Sequence, residues 1–135
     1  MNMKNIIISY ILTFIVFLAV DMIWLGVIAK KFYQKHLGSF LSEDVNWVSA
    51  FVFYFLFVIG VSVFVIYPAV KNDSLNNAIL FGALFGFIAY ATYDLTNLAT
   101  LKNWPLSIVI VDMIWGAVLT SIVSLSGYII IKWIQ

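Results

Sequence analysis

Four apolar runs in a chain of 135 residues, Ile6–Ala29, Trp47–Val70, Leu75–Leu101 and Pro105–Trp133, each reach the length of about 20 residues that a helix needs to cross a bilayer. In lipid every backbone N–H and C=O must be paired within its own segment, so runs of this length fold as helices. Four crossings joined by short connections alternate in direction and leave both ends of the chain on one side. The expected fold is therefore all-α and integral to a membrane. It is a single domain over residues 1–135, an antiparallel bundle of four transmembrane helices with an interfacial loop over residues 30–46. The composition, 64% hydrophobic and 10% charged, departs in the same direction from the roughly half-apolar, quarter-charged mix of soluble domains. The first run carries Asp21 and is followed by no small-x-small cleavage site, so it reads as a span and not as a signal peptide.

Other classes are excluded by what the chain lacks. With no cysteine there is no disulfide, no thiolate nucleophile and no Cys-ligated zinc or iron–sulfur site. The seven basic residues are all lysines and the net charge is +1, which is not a nucleic-acid footprint. The partners expected are the lipid bilayer and, in a homodimer, a second copy, with no nucleic acid.

In the first span Ser9, Thr13, Phe17 and Asp21 recur every fourth residue and so share one stripe. The loop that follows opens with Lys30-Lys31-Phe32-Tyr33-Gln34-Lys35-His36, whose lysine stems and aromatic rings suit the interface; the spacing predicts that it prolongs the first helix up to Gly38. Ser42-Glu43-Asp44 reads as the cap and acidic first turn of span two. Span two is aromatic, with no acid or base besides its tyrosines, and reads as a packing and lipid-facing helix. Asn72-Asp73-Ser74 is a turn that caps span three. There Gly82, Gly86, Tyr90, Tyr93, Asp94 and Asn97 fall within about a third of the helix circumference. The Gly82–Gly86 pair allows close backbone approach, expected within the bundle. Lys102-Asn103-Trp104-Pro105 is a tight connection with Pro105 in the first turn of the last helix, where Asp112, Gly116, Thr120 and Ser124 form a small, polar seam.

Three of the six acids thus lie inside spans. Counting 1.5 Å per residue from the first and third loops puts Asp21, Asp94 and Asp112 each about 10–12 Å below the same membrane face. Two of them sit in one repeated word, Asp21-Met22-Ile23-Trp24 and Asp112-Met113-Ile114-Trp115, on helices of opposite direction. A charged aspartate at the centre of a span costs roughly 2.5–3.5 kcal/mol, and no arginine exists to pair with it. Relief must come from protonation, a bound cation or a water-filled cavity, with Asn97, Thr96, Tyr90 and Tyr93 able to supply hydrogen bonds. The bland alternatives are a protonated aspartate acting as interhelix glue, Trp24, Trp47, Trp104 and Trp133 as interface-belt residues, Trp115 as plain packing despite its pocket-lining depth, and His36 as a solvated loop residue.

The segments Phe17-Leu18-Ala19-Val20-Asp21-Met22-Ile23-Trp24-Leu25-Gly26, Phe32-Tyr33, Phe53-Tyr54, Tyr67-Pro68-Ala69, Tyr90-Ala91-Thr92-Tyr93-Asp94-Leu95-Thr96-Asn97-Leu98-Ala99-Thr100 and Val111-Asp112-Met113-Ile114-Trp115-Gly116 together resemble the bacterial DUF2177 membrane protein family over nearly the whole chain. The resemblance implies a small, multi-pass, four-helix protein of the bacterial inner membrane, and implies no substrate or mechanism.

The function expected from the residues is binding or transport of a proton, a metal ion or a small cationic solute. Asp21, Asp94 and Asp112 are the ligands, a divalent cation is the candidate cofactor, and Asn97, Tyr90, Tyr93, Thr96 and Trp115 complete the site. Two alternatives stand beside it: a metal-dependent membrane enzyme acting on lipid, and a structural or partner-binding subunit. Lys4, Lys71 and Lys132 on the side of the termini against Lys30, Lys31, Lys35 and Lys102 on the other lean slightly to termini outside. So small a bias also suits a homodimer of dual topology.

Overall fold

The computed structural model describes residues 1–135 and contains six α-helices: α1 (Met3–Ile23), α2 (Lys30–Leu37), α3 (Trp47–Val61), α4 (Tyr67–Lys71), α5 (Leu75–Thr100) and α6 (Leu106–Ile134). Wide π-helical turns extend α1 over Trp24–Ile28 and join α3 to α4 over Ser62–Ile66. Four segments, Met3–Ile28, Trp47–Lys71, Leu75–Thr100 and Leu106–Ile134, are long and apolar enough to cross a membrane.

Helix α6 is central. It packs against α1 on one side and α5 on the other, while α3 lies on α1. The residues of α1 that become buried are Ser9, Thr13, Phe17 and Asp21, the stripe expected from their spacing. On α6 the buried set includes Asp112, Gly116, Thr120 and Ser124. The α5–α6 crossing needs its glycines: a Cβ on Gly82 would stand 2.5 Å from Ser124 Oγ, and one on Gly86 would collide with the Gly116 carbonyl. The Gly82–Gly86 pair is therefore spent on a contact inside the bundle. Apolar packing of Phe17, Val58, Val61, Ile66, Leu119 and Val123 fills the middle. Ile11, Ile15, Phe64, Leu80 and Val118 stay exposed, an outer surface of the kind that lipid requires.

The side bearing the termini is tied by polar contacts. Lys132 Nζ donates to Asp73 Oδ1 at 2.8 Å and Tyr128 Oη donates to the same oxygen at 3.0 Å. Asn5 Nδ2 donates to the Ile134 carbonyl at 3.0 Å, and Ser74 caps α5 through the Asn77 amide.

Several local expectations need correction. The first helix is not prolonged to Gly38: it stops at Ala29, where φ −104° and ψ 2° leave the helical region, and α2 starts anew. Leu37 of α2 is buried with Trp104, Ile108 and Val109, so long-range packing folds α2 over the start of α6. Span two begins later than Ser42-Glu43-Asp44 suggests, because Asn46 caps it by accepting from the Ser49 amide at 3.0 Å. Pro105 occupies the cap of α6, one residue before its first turn. Pro68 is the second residue of α4, directly after the π turn and three residues before the end of span two, where the widened turn leaves few ordinary bonds for proline to disrupt.

Candidate functional site

All three intramembrane acids are buried and converge at the end of the bundle covered by α2. Asp21, on the buried stripe of α1, accepts from Tyr54 Oη of α3 and from Trp115 Nε1 of α6, both at 3.2 Å. Asp112, one helical turn from Gly116 on α6, accepts a short hydrogen bond from Tyr33 Oη of α2. The Tyr33 oxygen in turn accepts from Trp24 Nε1 at 3.2 Å. Tyr33 lies outside the spans, and burial, followed by its bond to Asp112, raises its phenol above the ordinary tyrosine range, so it remains a donor at any ordinary pH.

The two Asp-Met-Ile-Trp words meet in a crossed arrangement. Trp24 and Trp115 stack with centroids 4.3 Å apart and planes 9° from parallel. Trp115, from the second word, serves the aspartate of the first; Trp24, from the first, serves the aspartate of the second through Tyr33. Two short antiparallel words thus exchange donors.

Asp94 is different in kind. Its side chain is 0% exposed and neither carboxyl oxygen has a hydrogen-bond partner. It abuts the carboxyl of Asp112, and two ionised carboxylates have only acceptors to offer one another. The indole of Trp104 lies beside it, with a buried Nε1 that closes no hydrogen bond. A buried polar atom without a partner costs on the order of 1–3 kcal/mol, and here several adjoin one another.

Two cavities meet at this layer. One, of about 250 Å³, is bounded by Asp21, Leu25, Tyr33, Tyr54, Asp112 and Trp115, among others. The second, of about 340 Å³, lies between α3 and α5 and is lined by Phe53, Phe57, Ala89, Tyr90, Tyr93 and Asp112. Phe53, Tyr90 and Asp112 border both, and the Tyr90 ring lies close over Gly116.

The other expected site residues divide. Tyr90 and Trp115 belong to the site; Tyr93 is 57% exposed and forms a rim, its ring edge-on to Trp104 at 5.8 Å. Asn97 is half-buried next to Tyr93. Thr96 is not part of the site, since it is exposed and its hydroxyl returns to the carbonyls of Thr92 and Tyr93 on its own helix. A divalent ion held jointly by Asp21, Asp94 and Asp112 does not fit this geometry: no three acidic or histidine side chains are grouped to hold a metal. Asp21 and Asp112 are each turned to separate O–H and N–H donors, whose hydrogens would face an ion, whereas magnesium and calcium need shells of oxygen.

Trp24 and Trp104, read as belt residues, are instead packed into the acid end, whereas Trp47 and Trp133 are exposed. Tyr33, Tyr54, Trp24 and Trp104 were all missed as site residues. Tyr54 could have been found by depth, because it follows Trp47 by seven positions, as Asp112 follows Pro105. Tyr33 could not, because only the folding back of α2 brings it to Asp112.

No curated protein and no solved structure matches the chain. The family model described as predicted membrane protein (DUF2177) matches residues 6–129, a stretch that contains every acid and every donor of this layer, and the chain belongs to that family.

Proposed function

We propose that this is a cation-binding protein of the bacterial inner membrane in which the Asp94–Asp112 pair exchanges a proton for a small cationic solute, as a transporter would. The observation that carries the reading is a fully buried Asp94 carboxyl that closes no hydrogen bond on either oxygen, pressed against the carboxyl of Asp112, which lines two cavities. Two carboxyls in contact cannot both ionise at low cost; one proton held between them relieves the repulsion. A cation arriving at Asp112 supplies the same relief and releases that proton. Asp21, with two donors of its own, lines the same cavity as Asp112 and adds a second carboxyl on the path of an entering cation. The aromatic walls favour a cation that interacts with ring faces.

The test is reconstitution in liposomes containing a pH-sensitive dye, with inorganic cations and ammonium ions added in turn. The expected result is dissipation of an imposed pH gradient by at least one of them, lost in Asp94→Asn while that variant still elutes as a folded species. Proton movement that is equal in protein-free, wild-type and Asp94→Asn liposomes for every cation would sink the reading. A change in lipid composition that depends on divalent metal would favour a lipid-modifying enzyme instead.

A further inference from the structure

Spans two and three contact one another through the π turn Ser62–Ile66 and at Gly60, where a Cβ would meet Phe85 at 3.1 Å. Above that point they part. Across the gap between the two backbones Phe57 and Tyr90 meet edge to face with centroids 6.5 Å apart, and both line the cavity of about 340 Å³ that reaches Asp112 of α6. Its walls come from α3 and α5, with Asp112 of α6 behind them, and the exposed Phe53 and Tyr93 at its rim put an opening on the apolar flank of the bundle between these two spans. On the aqueous side the approach passes α2, where Tyr33 is bonded to Asp112.

The walls are apolar or aromatic, the floor is a carboxyl, and behind it stands the partnerless Asp94. No lysine lines either cavity, and the chain has no arginine among its basic residues. Such a slot rejects anions. It also serves poorly for inorganic cations, which need several oxygens, and for zwitterionic lipids, whose phosphate would meet the same acids. What it fits is an ammonium head, held by a carboxylate and ring faces, carrying an apolar tail that stays in the fissure.

Resting on the proton-exchange reading above, we infer that the solute is an amphiphilic ammonium ion that reaches Asp112 from the bilayer through the fissure between α3 and α5. Half-buried Ala89 lines that fissure and carries no polar group of its own, so a larger side chain there fills the tail's path without altering any carboxyl.

The experiment compares tetramethylammonium with dodecyltrimethylammonium on protein in lipid nanodiscs. Binding to Asp112→Asn discs of the same lipid is subtracted to remove partition into the bilayer. Wild type is expected to bind the tailed cation, and Ala89→Phe to weaken it by about tenfold relative to tetramethylammonium, a difference of the size expected from one blocked subsite. Ala89→Leu provides a milder filling should the phenylalanine disturb folding, with elution and thermal melting recorded for both. Equal weakening of the two cations, or no weakening of either in both variants, overturns lateral entry. If neither cation binds above Asp112→Asn, the ammonium assignment is overturned. The proton-exchange reading falls as well only if the liposome assay shows no coupled cation of any kind.

Discussion

The two ends of the bundle treat an aspartate in opposite ways. Near the termini, Asp73 meets a lysine and a tyrosine, Lys132 and Tyr128, both donating to one oxygen. At the other end Asp21 and Asp112 also receive tyrosines, Tyr54 and Tyr33, and an indole, but no lysine, and Asp94 receives nothing. A carboxylate with its own ammonium is closed as a chemical unit. One supplied only with neutral donors keeps its charge, or its proton, available, and the acid end holds two such groups, with a third that closes no hydrogen bond, where lipid makes them costly. The comparison separates an aspartate closed by an ion pair from aspartates left with neutral donors or with none.

Four substitutions break or sharpen that contrast. The largest effect is expected from Gly86→Leu, which drives a side chain into the Gly116 backbone and abolishes the seam on which both ends depend. Overpacking of this kind costs on the order of 3 kcal/mol or more when backbone must move, and loss of the folded peak in gel filtration checks it. Asp94→Asn comes next: proton exchange falls by about a hundredfold or more, since binding at such a pair is an electrostatic requirement. The melting temperature should stay level or rise, because replacing a buried, unpaired acid is often neutral or stabilising. A large fall in melting temperature without loss of exchange would show that Asp94 is glue.

Tyr33→Phe removes the donor of Asp112 and should cost roughly 1–2 kcal/mol, read in thermal melts, while weakening the hold of α2 on the bundle, read as faster proteolysis between Ala29 and Leu37. Smallest is Asp73→Asn, which should leave exchange unchanged. Here the pH dependence has a definite sign. The bond from Lys132, then that from Tyr128, holds the Asp73 carboxyl below its usual range. Its contribution is therefore present above the unfolded value of about 3.9 and is lost as pH falls through the lower folded value. Melts of wild type and Asp73→Asn should converge only in that acidic window; convergence at neutral pH would mean that the exposed pair does nothing.

How much of this was legible in the sequence depended on whether a signal was local. The Ser9–Asp21 and Asp112–Ser124 stripes were readable because helical spacing alone decides which residues share a face, and those residues are buried. The common depth of the three acids followed from the constant rise of a helix. Thr96 misled because a hydroxyl on a helix can satisfy itself on a carbonyl one turn back, so a polar letter need not signal a polar demand. The return of α2 was invisible, since it follows from packing between residues far apart, such as Leu37 on Trp104. The crossed donors of the repeated word were half visible: the repetition could be seen, but not that each tryptophan serves the other word's acid.

That crossing has a consequence for biogenesis. Asp21 enters the membrane on the first span, but its two donors reside on the second and the last. As the chain is inserted from its N-terminus, this carboxyl must wait, solvated or carrying a proton, until α6 arrives. Asp112 arrives with Trp24 and Tyr33 already made. The order of synthesis therefore leaves the acid layer incomplete until α6 is made.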